Sequence, residues 1–196
     1  VAEKVLSDRQ QEIVETTMRL VFQKGMQELT MKKIAQEIGI TEPALYRHFL
    51  SKADILLALV EVLNGKRQGI IRDTEKAGPG LRAFLEAFFV GHARLFAAQP
   101  AMTLILFSEE LFSADSELAQ RVHIMMEGTI GLLRDRIAGA VSGGEIRKDR
   151  DPFTSTLLLV GGFRLLVSLW RMERHDFDLE ARSRLFLDEA VAQIGL

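Results

Sequence analysis

Apolar residues recur at intervals of three and four along almost the whole chain, and no run of strict alternation suggests a strand. The pattern predicts an all-α protein of about nine helices. The first covers Asp8 to Lys24, turning Ile13, Thr17, Leu20 and Val21 inward, with Gly25 as its stop. Thr30 then caps a short second helix, Met31 to Glu37, whose Ile34, Ala35 and Ile38 face the interior. Gly39 permits a sharp turn, Thr41 caps a third helix over Glu42 to His48, and Pro43 sits in its first turn, where a missing N–H costs little. Leu45 and Phe49 are the buried i, i+4 pair of that helix. Ser51 and Asp54 form a capping-box variant that opens a fourth helix through Ile55, Leu59 and Leu63.

The stretch KAGPG, residues 76–80, breaks the pattern, and the remaining helices form a larger second region. Helix five carries Leu81, Leu85, Phe88, His92 and Leu95 and ends near Pro100; helix six covers Ala101 to Leu111; SADSE supplies the cap of helix seven, Glu117 to Val141. A polar linker leads to helix eight, Pro152 to Arg174, which is apolar almost all round and needs partners on two sides. Helix nine, Leu179 to Ile194, has a single stripe. Packing one side of helix eight on its own domain and the other on a second copy predicts a homodimer through helices eight and nine. Gly161 and Gly162 would allow close helix approach there or leave room for a ligand. The domain boundary is placed between residues 50 and 51, giving a head of residues 1–50 and a ligand-binding and dimerisation domain of residues 51–196.

At 196 residues and 47% apolar content the chain can bury a core without disulfides, and it has no Cys. Thiol catalysis and thiolate metal sites are thereby excluded, and a cytoplasmic location is expected. The longest apolar run, Leu157 to Phe163, is broken by Arg164, so no membrane partner is expected; nor is a leader pattern evident at the start. The net charge of −2 argues against nucleic acid only globally. Locally, Lys32, Lys33, Arg47, Lys52 and His48 fall between Thr30 and Lys52, against Glu37 and Glu42.

Two short helices around a glycine turn make a helix-turn-helix, whose second helix suits a DNA major groove. With Leu45 and Phe49 inside, Glu42, Pro43, Ala44, Tyr46, Arg47 and His48 remain outside. Hydroxyl, guanidinium and imidazole groups suit phosphate oxygens, and small or polar side chains at a helix start can approach base edges. The segment LTMKKIAQEIGITEPALYRHFLSKADIL resembles the DNA-binding segment of TetR-family transcriptional regulators, and IVETTMRLVFQKGMQELT resembles the family's first helix. That resemblance implies phosphate contacts for Thr30, Thr41, Tyr46, His48 and Lys52, base-facing positions for Lys32, Glu42, Pro43 and Ala44, and either role for Arg47. It also implies a dimer on a palindromic double-stranded operator, with repression relieved by a ligand.

The ligand is expected to be a small apolar or aromatic molecule. Phe88, His92, Phe96, Met102, Phe107, Met125, Met126 and Phe163 are the candidate pocket residues, because a Phe/Met lining with a few polar groups adapts to such a shape. His92, His123 and Arg164 are the candidate polar groups; His92 equally fits a satisfied core histidine. No enzyme is expected, since P-loop, dinucleotide-binding and nucleophile-elbow motifs are all missing and no Glu-x-x-His pair provides a di-iron site. No cofactor is expected either. The alternative reading is a helical dimeric protein-interaction module that does not bind DNA.

Overall fold

A computed structural model describes residues 6–107 and 116–196. Its helices are α1 (Asp8–Lys24), α2 (Met31–Ile38), α3 (Glu42–Tyr46), α4 (Lys52–Thr74), α5 (Leu81–Ala98), α6 (Ala101–Leu106), α7 (Ser116–Gly143), α8 (Pro152–Met172) and α9 (Leu179–Ile194), with a 3-10 turn at Met26–Glu28. Among the described residues there is no strand. The expected end of helix six and part of the SADSE cap lie outside the described residues.

The chain divides into two compact units. One comprises residues 1–66 and 99–123, the other residues 67–98 and 124–196. This division differs from the boundary read at 50/51, because α6 packs against α1 and so belongs with the head. α4 and α7 each contribute residues to both units.

In the first unit α1 packs on α2 and α6, and α2 on α3. Ile13, Val21, Ile34, Leu45 and Leu59 are fully buried at its centre. Local chemistry sets the boundaries. Ser7 and Gln10 make a reciprocal capping box at the start of α1, and the Lys33 N–H donates to Thr30 Oγ1 at 3.2 Å at the start of α2. Gly39 closes α2 at φ 80°, ψ 30°, the left-handed conformation that only glycine adopts cheaply. Thr41 departs from expectation: it holds the N-cap position of α3 but its side chain makes no capping bond. Likewise Ile38, expected to face inward, is only half-buried. α3 ends two residues early because the His48 N–H bonds back three residues, to the Leu45 carbonyl at 2.9 Å, which tightens the last turn.

In the second unit α5 packs on α9 and α9 on α8. Arg94 makes a two-pronged pair with Glu180, 2.7 Å on each arm, while Arg184 bridges Glu86 and Glu180, and Arg82 meets Asp188. Such exposed pairs set the alignment of α5 and α9 more than they stabilise it. Between α8 and α9 the Phe186 ring lies directly on Gly162, where an added Cβ would stand 2.6 Å from Cε2. Gly161, one residue earlier, has nothing within 4 Å of that position. The two glycines therefore serve different sides of α8: Gly162 meets α9, and Gly161, about 100° round the helix, is open.

α8 also corrects the reading of the Arg164 break. Its 21 residues are long and apolar enough, by length and composition alone, to cross a membrane, a test that the core helix of a soluble protein also passes. Its two faces are unlike, however. Leu159, Phe163, Val167 and Trp170 are buried, whereas Leu158, Leu165 and Met172 are 61%, 61% and 78% exposed. One face thus packs in the unit, and the other is left uncovered.

Candidate nucleic-acid interface

α3 has five residues, too few to be stable alone, so its position depends on what grips it. Leu45 and Phe49 are buried, fixing its inner side. At its far end Gln10 Nε2 of α1 donates to the His48 carbonyl at 3.3 Å. Gln10 is a positioning residue that sequence reading missed; no periodicity marks it, since the bond joins residues 38 apart. Pro43 occupies the first turn of α3 as expected. Downstream, the Asp54 N–H donates to Ser51 Oγ at 3.1 Å, forming one arm of the expected box and fixing the start of α4.

What remains outside is the expected set. Thr30, Lys32, Thr41, Pro43, Tyr46, Arg47 and Lys52 are exposed, and Glu42, Ala44 and His48 are partly so. Lys33 is drawn into a pair with Glu28, and Arg19 pairs with Glu37 at 3.5 Å, so these charges also serve the head itself. Lys52 is the first residue of α4, where the helix N-terminus already favours an anion. Tyr46 at the end of α3, Arg47 just beyond it and Lys52 at the start of α4 thus leave a hydroxyl, a guanidinium and an ammonium exposed within one short segment, groups of the kind that suit phosphate oxygens.

The amino-terminal model of the bacterial regulatory proteins of the tetR family matches residues 13–59, and the model for the YsiA-like protein C-terminal region matches residues 59–189. The chain belongs to the TetR family. It is a ligand-responsive, DNA-binding transcriptional regulator that works as a homodimer on operator DNA. Among TetR relatives, the fatty acid metabolism regulator protein of Bacillus subtilis is 22% identical over 93% of this chain and 94% of its own. The nucleoid occlusion factor SlmA of Actinobacillus pleuropneumoniae is 29% identical over 64% of this chain and 62% of its own. Among solved structures, the fatty acid degradation regulator FadR of Bacillus halodurans superposes with a TM-score of 0.83 at 20% identity, covering 95% of this chain and 96% of the other. FadR of Bacillus subtilis in complex with stearoyl-CoA gives 0.77 at 23% identity, covering 92% and 97%.

In this TetR chain the candidate ligand residues are only partly brought together. Phe88, His92, Phe96 and Phe163 form one cluster in the second unit, joined by Phe89: ring centroids lie 4.3 Å apart for Phe88 and His92, and 5.1 Å apart for Phe89 and Phe163. Met102 and Phe107 belong to the other unit. Met125 is buried but Met126 is exposed, because adjacent helical positions point about 100° apart. His123 is exposed and also lies in the first unit. Phe96 and Phe163 stack at 6.2 Å, and Phe88 and Phe89 meet edge to face at 5.2 Å. A cavity of about 380 Å³ in the second unit lies elsewhere, with Glu75, Leu81, Phe84, Arg136 and Glu145 in its walls. Arg136 covers the Phe84 ring at 4.8 Å, and the Leu81 N–H donates to Glu145 Oε2 at 2.8 Å. None of the candidate ligand residues lines this cavity. Sequence reading also missed Arg67, a partly buried guanidinium that donates to Thr129 Oγ1 at 2.9 Å and that burial holds below its ordinary pKa.

His92 is deeply buried, and this pushes its pKa down to about 4; the bond to the Phe88 carbonyl opposes the shift and the charge of Arg67 adds to it. Between pH 6.5 and about 4 the unfolded chain therefore binds a proton at this position that the folded chain does not. Stability is complete above pH 6.5 and falls as pH drops toward 4, by at most about 3 kcal/mol from this group. Urea denaturation at pH 7 and pH 4.5 tests this. His92→Phe should flatten the difference, leaving the smaller contribution of His175, whose pKa is also lowered, chiefly by burial. An unchanged slope in the variant would place the dependence elsewhere.

Proposed function

We propose that this protein represses transcription from a pseudo-palindromic operator and is released when an acyl compound with a long apolar chain binds its second unit. The observation that carries the reading is the gripped, outward-facing α3 and α4 start, joined in one chain to an aromatic file in a second unit. In the dimer the two α3 helices would enter successive major grooves about 34–36 Å apart. Thr30, Thr41, Tyr46, His48 and Lys52 hold phosphates, Lys32, Glu42, Pro43 and Ala44 face bases, and Arg47 serves either. The protein acts by binding and not by catalysis, in the cytoplasm where its operator lies.

Support for the effector class comes from three sides. The described unit contains Phe88, His92, Phe96 and Phe163 as a contiguous aromatic group. A relative aligned over most of this chain is a regulator of fatty acid metabolism, and a solved structure of the same fold holds stearoyl-CoA. α4, which starts beside Lys52 and continues into the second unit, is the element through which a ligand would alter the two heads. Such coupling requires only that the ligand prefer the arrangement that does not fit DNA.

Selection of bound duplexes from a random pool, followed by titration of the selected duplex with and without stearoyl-CoA, tests the whole reading. A site with two-fold symmetry is expected, with duplex affinity falling roughly 5–150-fold in the presence of the acyl compound and ligand affinity falling by the same factor on DNA. A site without symmetry overturns the dimeric operator. Identical ligand affinity with and without duplex, across acyl chain lengths, overturns the effector class.

The division of labour within the head has its own test. Lys52→Ala and Tyr46→Phe should weaken binding to all duplexes alike and, for Lys52, reduce the salt slope by about one. Glu42→Ala and Lys32→Ala should change the preferred bases instead. Repeating the selection with each variant separates the two, and equal loss of preference in both pairs would sink the assignment.

A further inference from the structure

The Gln10 carboxamide makes two bonds of different kinds. Its Oε1 accepts from the Ser7 N–H at 3.1 Å, and with the Gln10 N–H donating to Ser7 Oγ at 3.3 Å this closes the capping box of α1. Its Nε2 donates to the His48 carbonyl at 3.3 Å. A backbone N–H can only donate and a carbonyl can only accept, so the two partners together fix which way the amide points.

Only one of these bonds requires an amide. A glutamate at this third position of α1 would complete the box equally well, and its charge would be favoured at the helix N-terminus. Once ionised it could not donate to His48, and two oxygens would face each other instead. The amide nitrogen thus serves α3 and not the cap.

The His48 carbonyl lies just past α3, among the acceptors that a helix end leaves without an intrahelical partner. α1 packs on α2 and α2 on α3, so the Gln10 bond ties α1 directly to the end of the recognition helix. Leu45 and Phe49 hold that helix by apolar burial, which is non-directional. A hydrogen bond is directional and restrains the roll of the helix end. At that end Tyr46 and Arg47 are exposed and His48 partly so.

We propose that Gln10 is a positioning residue for operator discrimination: by holding the His48 carbonyl it sets the roll of α3, so its loss weakens binding to the operator while binding driven by phosphate charge persists. The inference rests on the operator reading above and adds to it a residue of α1 that acts through α3.

The experiment titrates the full chain with the selected operator and with a scrambled duplex of equal length, at pH 7.5 and pH 5, for the unaltered protein, Gln10→Glu and Gln10→Met. Circular dichroism on each sample confirms the fold. At pH 7.5 Gln10→Glu should bind the operator about 5–10-fold more weakly for each head, the effect of one hydrogen bond, and so about 25–100-fold more weakly as a dimer. Binding to the scrambled duplex, which reads only charge, should stay within about threefold. A protonated carboxyl regains a donor for His48 and keeps an acceptor for Ser7. The gap between Gln10→Glu and the unaltered protein should therefore narrow about fivefold at pH 5, as a carboxyl with an ordinary pKa of about 4.3 takes up a proton on binding. Gln10→Met, which loses both bonds and cannot titrate, should be weak at both pH values.

Gln10→Glu binding the operator within twofold of the unaltered protein at pH 7.5 overturns the proposal, since the cap would then be the whole role of Gln10. Equal losses on operator and scrambled duplex overturn it too, as does a gap that fails to narrow at pH 5 or narrows equally in Gln10→Met. Proton exchange in the operator complex of the unaltered protein decides the matter even if the variants fold poorly: one of the two Gln10 Nε2 protons should exchange more slowly than the other, and equal exchange overturns the bond. If the unaltered protein prefers its operator under any of these contrary results, the operator reading stands and only the role of Gln10 falls. If it shows no preference between the two duplexes, both fall together.

Discussion

Leu165→Glu should yield a monomer with operator affinity at least ~100-fold weaker than that of the unaltered protein. Leu158, Gly161, Leu165, Leu169 and Met172 follow one another at intervals of three and four, forming a stripe on α8 opposite its buried face. Leu185 of α9, 59% exposed, adds to the uncovered apolar surface. A second copy related by a two-fold axis would bury the same stripe on both chains, with Gly161 admitting close approach of the paired helices. A carboxylate at position 165 would have to be desolvated opposite its own symmetry mate, and the resulting repulsion acts twice. Because Leu165 makes little of the intrachain core, the monomer should retain its fold. Loss of DNA binding then follows from lost linkage: two joined heads gain roughly 10²–10⁴ over one, and a monomer forgoes that gain. Sedimentation equilibrium, circular dichroism and duplex titration on the same sample make the comparison. A Leu165→Glu protein that still sediments as a dimer would remove α8 from the interface.

The second large effect is expected at Leu45→Ala, which should cost about 2–5 kcal/mol in the stability of the head and abolish operator binding. Leu45 is fully buried and is the only fully buried side chain of the five-residue α3. Truncating it leaves a cavity under a helix too short to hold itself. The exposed residues of α3 then lose the fixed orientation that makes their contacts simultaneous. Leu50, 82% exposed, provides the contrast, since Leu50→Ala should change stability by less than about 0.5 kcal/mol. Urea denaturation followed by far-ultraviolet circular dichroism gives the stabilities, and duplex titration gives the binding. Retention of operator affinity within about twofold in Leu45→Ala would mean that α3 is held by something other than its buried leucine.

The extent to which the sequence anticipated this molecule varies between its two regions. α1 and α9 begin and end where periodicity, with Gly25 as a stop, places them; in the structure Ser7, Asp178, Gly25 and Gly195 hold those ends through backbone groups within a few residues. The exposed set on α3 was legible for the same reason: once Leu45 and Phe49 are taken as inner positions, helical geometry assigns the rest. The family resemblance in that segment is correspondingly dense.

The second region resists such reading. Periodicity states the angle of a residue about its own helix and says nothing of what stands opposite. Met102 and Phe107 share the composition of the aromatic cluster, yet α6 packs on α1 and takes them into the other unit. α8 looked apolar all round, and only the placement of α9, with the Phe186 ring seated on Gly162, decides that Leu159 and Val167 face in while Leu158 and Leu165 face out. His92 was ambiguous between donor and core residue until the Phe88 carbonyl, four residues back, fixed its proton on Nδ1 and left Nε2 as an acceptor. Caps, turns and helical spans were determined by the sequence itself because they rest on interactions between near neighbours in the chain. The partner of each helix face, the grouping of the pocket residues and the location of the cavity were decided only by tertiary structure, since packing brings together side chains whose separation along the chain carries no local signal.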